Sequence, residues 1–163
     1  DITLEVLTNL FVKNKIIYVI GFILVCVVSF IKFQDNYSLE YVAVEDYPIK
    51  AVDYIKENLD VNTIRLYNDY NFGSYLLFND IPVFIDSRCD LYLKEFNGLD
   101  YSIFDDAMNI KYDYEEKFDF YRVSHALVLN SSILNILFEK DSSFNIIYSD
   151  EYFNLFEVVE GEN

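Results

Sequence analysis

Glycine is scarce in this chain, four residues in 163, too few for a glycine-rich loop that would cradle a phosphate. Cysteine is scarcer still: two residues, at 26 and 89, exclude a disulfide framework. Cys26 lies inside an apolar run, so even that one pair is not expected. Histidine occurs once, and no Ser-His-Asp order, GxSxG elbow, P-loop, HExxH or CxxC motif is present. An autonomous hydrolase or nucleotide enzyme therefore has no support. Basic residues are outnumbered 28 to 12, for a formal charge of -16. Such an acidic excess repels phosphate backbones and anionic membrane surfaces, which argues against nucleic acid as a partner. Internal repeats and low-complexity tracts are also lacking.

Apolar and aromatic material, by contrast, is plentiful: 53% of the residues are hydrophobic, with 15 Tyr and 15 Phe, so a packed core is expected rather than disorder. The length allows one ordinary domain plus an appendage. That appendage is the uncharged run IIYVIGFILVCVVSFI at 16–31, preceded by Lys13 and Lys15 and followed by Lys32. Sixteen helical residues cover roughly 24 Å against a bilayer core of about 30 Å. Extension to Phe11 and Phe33, with lysine stems snorkelling to the interface, closes the gap. A cleaved signal peptide is the rival reading. Against it, the run is long, ends in Lys32 rather than small residues, and follows the amphipathic stretch TLEVLTNLFV. The chain thus divides into a pre-membrane segment at 1–15, a transmembrane helix at 16–33, a linker containing QDNYS at 34–44, an α/β domain at 45–159 and a tail at 160–163. Two lysines before the span and one after it place the N-terminal flank in the cytoplasm and the acidic domain outside the cell membrane. A first residue of Asp rather than Met suggests a fragment or a processed chain.

From residue 45 helical and strand patterns alternate. EDYPIKAVDYIKEN reads as a helix capped by Asp46 or Glu45, with Ile49, Val52, Ile55 and Leu59 inward. NTIRLY at 62–67 reads as a strand, FGSYLLFN at 72–79 as a short helix, and PVFID at 82–86 as a second strand opened by Pro82. YSIFDDAMNI and DYEEKFDFYR carry helical periodicity with Phe104, Met108, Phe118 and Tyr121 inward. SHALVLN at 124–130 reads as a third strand, SSILNILFEKD as a helix capped by Ser131 or Ser132, and FNIIYSDEYFNLFEVV as a closing hairpin. The expected fold is α/β: a small three-layer, mainly parallel sheet with a C-terminal antiparallel hairpin, preceded by one transmembrane helix.

In such a sheet ligands bind beyond the carboxyl ends of the strands. Two polar clusters fall there, NDYNFG at 68–73 and DSRCDLY at 86–92. Neighbouring strands would gather Asp69, Asn71, Asp86, Arg88 and Asp90. Two readings are open. Arg88 can pair with one flanking carboxylate and close a structural corner, with Gly73 allowing a tight turn and Asn68 or Asp69 capping the next helix. Alternatively Asp69, Tyr70, Asn71, Gly73, Asp86, Arg88, Asp90 and Tyr92 hold a hydroxyl-rich acceptor or glycan, with Tyr70 and Tyr92 as stacking faces. No EF-hand-like loop is present, and neither metal nor cofactor is expected. His125 opens the third strand, where it either reaches the same rim or serves as a hydrogen-bonded structural residue.

YPIKAVDYIKEN, RLYNDYNFGSYLLFNDIPVFIDSRCDLY, SHALVLN and IIYSDEYFNLFE together resemble the C-terminal region of bacterial polytopic membrane proteins of the GT-C glycosyltransferase type. The resemblance spans about residues 45–158 and is most specific from Asn68 to Tyr92. A fainter one reaches the catalytic subunit of oligosaccharyltransferase, whose aromatic-Asp-Tyr-Gly motif is similar in type to Asp69, Tyr70 and Gly73. Here Asn71 and Phe72 intervene, and no tryptophan occurs. The resemblance implies the extracytoplasmic domain of an enzyme using polyprenyl-phosphate sugars, with catalytic carboxylates in other, membrane-spanning segments and no catalysis by this portion alone. Its implied partners are the lipid bilayer and a lipid-linked sugar or glycan acceptor. The competing expectation is a membrane-anchored extracellular interaction or structural module without activity.

Overall fold

The computed structural model of the chain describes residue 5, residues 15–36 and residues 43–159. Apart from residue 5, the expected pre-membrane segment before Lys15 lies outside the described residues, as do most of the linker and the tail. The chain separates into two compact units, Asp1–Val42 and Ala43–Asn163.

In the first unit, helix α1 (Lys15–Asn36) has 22 residues, about 33 Å at 1.5 Å per residue. Its described side chains, at 15 and 18–34, are all exposed, Phe22 the most among the large apolar ones at 70%. Among the described residues, no helix is long and apolar enough to cross a membrane.

The second unit follows a turn at 44–46 with α2 (Ile49–Asn58). Pro48, not Asp46 or Glu45, is the residue that precedes its first turn, and no side chain caps it. A proline there forgoes only an N–H that the first turn leaves unpaired in any case. Ala51, Val52 and Ile55 are its buried face. Strand β1 (Leu66–Asn68) is shorter and later than the expected 62–67, because Thr63 and Ile64 turn back to the Asp60 carbonyl. Helices α3 (Tyr70–Phe78), α4 (Lys94–Asn97), α5 (Ile103–Asn109) and α6 (Tyr114–Tyr121) lead to β2 (His125–Leu129), α7 (Ile133–Phe138) and the hairpin β3 (Phe144–Ser149) and β4 (Phe153–Val158). Short 3-10 turns cover Cys89–Tyr92 and Ile110–Tyr112.

The sheet order is β1-β2-β4-β3. Only β1 and β2 pair in parallel; β2 with β4 and β3 with β4 are antiparallel. The sheet is therefore mixed, not mainly parallel. The expected second strand at 82–86 does not join it, and the returning hairpin lays β4 along β2 instead. Alternation along each strand divides the core in two. Leu66, Leu127, Phe153 and Leu155 pack with α2 and α3 on one face. Tyr67, Ala126, Val128 and Phe156 pack with Phe118 of α6 and Leu134 and Phe138 of α7 on the other. The second face is strongly aromatic: Phe138 and Phe144 stack at 4.2 Å with ring planes 10° apart, and Phe118 and Phe156 contact both rings. Met108 was expected inward but is 45% exposed; Ala107 and Ile110 take the buried positions. Ser132 caps α7 as expected, its hydroxyl accepting from Asn135 N–H at 3.1 Å.

Candidate functional site

The polar architecture beyond β1 begins with Asn68, which is fully buried. Its Oδ1 accepts from Phe84 N–H at 2.8 Å, and its Nδ2 donates to the carbonyls of Ile85 at 2.8 Å and Asp69 at 2.9 Å. One side-chain amide thus takes the place of a backbone ladder, holding 84–85 against β1 where a neighbouring strand would have paired. Neither Asn68 nor Asp69 caps α3; Asp69 occupies the cap position, but its side chain makes no capping bond. Gly73 permits the close packing of α3 on this segment. A Cβ there would collide with the Ile85 carbonyl oxygen and sit 2.9 Å from both Asn68 Nδ2 and Asp86 Cα.

That packing sets the DSRCDLY corner. Asp86 is fully buried. Its Oδ1 accepts from the backbone N–H of Arg88 at 2.8 Å and from Arg88 Nε at 3.0 Å. Its Oδ2 accepts from Arg88 Nη2 at 2.6 Å and from the Tyr92 hydroxyl at 2.9 Å. These bonds, led by the Arg88 side chain and opposed by burial, hold the Asp86 carboxyl down at about 2. The same pairing raises the pKa of Arg88, whose side chain remains 55% exposed. Behind the corner, Ser74 and Ser87 share a 2.7 Å hydroxyl contact, and the Tyr70 hydroxyl donates to the Ser87 carbonyl at 3.4 Å. Asp90 and Asn71 are exposed and join neither group. The five polar residues expected together are therefore not one cluster.

Asp69 belongs to a second place. It follows β1, while Asn130 and Ser132 follow β2, so it lies beyond the carboxyl ends of the parallel pair. Burial pushes its carboxyl up to about 6, opposed by hydrogen bonding from Tyr67 and from the backbone of Leu129. Burial likewise raises the Tyr67 hydroxyl, with the Asp69 charge adding to it. Asp69, Tyr67, Met108, Lys111, Ser132 and Ile133 are among the residues lining a crevice of about 190 Å³ here. His125 is at the opposite end of the strands. It pairs in register with Leu66, is buried, and sits 2.9 Å from the Ser124 hydroxyl through Nδ1. It acts as the structural reading of the sequence had it and does not reach the rim. Among the described residues, no group of three or more His, Cys, Asp or Glu side chains is placed to hold a metal ion.

The linking role of Asn68 and the pairing of Ser74 with Ser87 are not visible in the sequence, since both depend on a contact between α3 and 84–87. Family models, curated proteins and solved structures all lack a match to this chain.

Proposed function

We propose that the chain is the outer lobe, with its adjoining membrane span, of a glycosyltransferase-like membrane protein of the class that uses polyprenyl-phosphate sugars. In this reading the lobe shapes the acceptor or glycan site, and catalysis belongs to other segments. The observation that carries it is Asp69, a half-buried residue lining a crevice beyond the carboxyl ends of two parallel strands, with its carboxyl pushed up to about 6. Near neutral pH such a group is mostly ionised and accepts from sugar hydroxyls, and below pH 6 its protonated form also donates. Met108 and Ile133 offer apolar faces to ring C–H groups, and Lys111 and Ser132 add donors. The span is carried over from the sequence, from the charge-free run at 16–31, whose large apolar side chains lie exposed along α1 where bulk water would penalise them; the described helix by itself is not long and apolar enough to cross a membrane. The lysine asymmetry favours an extracytoplasmic lobe.

The test is binding of a polyprenyl-phosphate sugar and of short glycans to the full chain in detergent micelles. Asp69→Ala should weaken binding at least tenfold, whereas Asp90→Ala should leave it within twofold. Equal binding by wild type and Asp69→Ala would refute the site. A second reading, a membrane-anchored interaction module without a small ligand, is favoured by the excursion at 89–102. None of its residues is buried, and Leu91, Phe96 and Leu99 are exposed. Chain that binds no glycan while retaining membrane association would fit that module.

A further inference from the structure

The lining of the Asp69 crevice says which sugars it would prefer, on the proposed reading that it is a sugar site. Its volume of about 190 Å³ lies below the roughly 300 Å³ at which sites for drug-sized ligands begin, so it has room for one sugar ring. Asp69 and Lys111 are the charged residues of that lining, yet they do not meet. Lys111 Nζ lies over the Tyr112 ring, 5.1 Å from its centroid, and neither ion pair found among the described residues joins it to Asp69. The Asp69 carboxyl is met instead by Tyr67 and by the backbone of Leu129. Both are neutral donors, and burial outweighs them. A carboxylate drawn partly out of water without a cation costs free energy, which a cationic ligand group would offset. The remaining walls carry no charge. Ala107, Met108, Ile133 and Leu134 are apolar, and Ser132, whose Oγ accepts from Asn135 N–H at 3.1 Å, keeps its own proton to donate.

We propose that this crevice selects an amino sugar, whose ammonium group pairs with the Asp69 carboxylate while the ring lies against Met108 and Ile133. A sugar bearing only hydroxyls gives Asp69 one more neutral donor, of the kind Tyr67 already supplies. An ammonium group brings the missing opposite charge, and a charge-assisted hydrogen bond is about twice as strong as a neutral one. The ring oxygens and hydroxyls of the sugar accept the Ser132 proton. Its C–H faces cover the apolar side chains of Met108 and Ile133, which are 45% and 57% exposed at the crevice. Acetylation of the amine removes the charge and adds bulk to a ligand in a space for one ring. The crevice therefore separates the free amine from both its hydroxyl and its acetamido counterparts.

The experiment is calorimetric titration of the full chain in detergent micelles at pH 7. The probes are methyl glucoside, a set of methyl glucosides each carrying a single free amine, and the N-acetylated form of each. At least one free amine should bind about tenfold more tightly than methyl glucoside, and its acetylated form should lose that gain. In Asp69→Asn, which keeps the shape of the side chain, amino and hydroxyl sugars should bind alike, with retained folding checked by circular dichroism. Asp90→Asn, which removes an exposed acid outside the crevice, should leave the preference intact. Non-specific attraction of amines to this acidic chain would survive in Asp69→Asn, so that result overturns the proposal, as does a wild type that prefers no amine. Neutral and amino glycosides that bind equally, and are both lost in Asp69→Ala, would remove the amine preference and keep the sugar site. Absence of binding by every glycoside would remove both.

Discussion

Asp86 and Asp69 are two carboxyl groups near the same end of the sheet, and their surroundings drive them in opposite directions. Asp86 is out of reach of water, yet every lone-pair direction it presents is met by Arg88 or Tyr92, so it stays ionised down to about pH 2. Asp69 shares its crevice with Lys111 but, among the described residues, makes no ion pair with it, so burial wins and its carboxyl rises to about 6. The contrast teaches that burial alone says little about role. A buried acid that has its cation braces the structure, whereas one without it, lining a crevice, retains capacity for something else.

The comparison breaks most sharply at Gly73. Gly73→Ala should destabilise the second unit by about 3 kcal/mol, as overpacking against a backbone carbonyl does, and should disorder the Asp86 corner before the Asp69 crevice. Urea denaturation, with proteolysis mapping of 82–92, measures both. Next comes Asn68→Ala, which leaves Phe84 N–H and Ile85 C=O without their partner; a loss of about 2 kcal/mol is expected in the same assay. Asp69→Asn should act the other way. The folded pKa of about 6 lies above an unfolded value of about 4. Its contribution is therefore present in full below pH 4 and is lost as pH rises to 6. Replacing the ionisable group should raise stability at pH 7 by roughly 1–2 kcal/mol and flatten the thermal-melting profile between pH 4 and 6. The smallest effect belongs to Ser132→Ala, which removes the α7 cap beside the crevice and should cost about 1 kcal/mol without touching the Asp86 corner.

What the sequence disclosed was local. The Ser132 cap, the β3–β4 hairpin and the Asp86–Arg88 pair all involve residues close along the chain, whose types and spacing suffice. Several features depended on distant partners. The 82–86 stretch has the composition of a strand, but the amide of Asn68 holds it where a ladder would have formed, and no periodicity encodes that. Asp69 separates from Asp86 because its environment is built by Leu129 and Tyr67, one of them on another strand. Met108 fits the helical stripe of α5, yet that helix is short and turns its buried side through Ala107. His125 reads equally well at either end of a strand until register with Leu66 decides it.

The most direct test of the two-carboxyl account is a side-chain 13C NMR titration of the aspartates in the full chain in micelles, repeated with Arg88→Ala. The account predicts that Asp86 titrates near 2 and Asp69 near 6, and that Arg88→Ala lifts Asp86 while leaving Asp69 in place. Two carboxyls titrating together in the ordinary range near 4, or an Asp86 indifferent to the loss of Arg88, would contradict it.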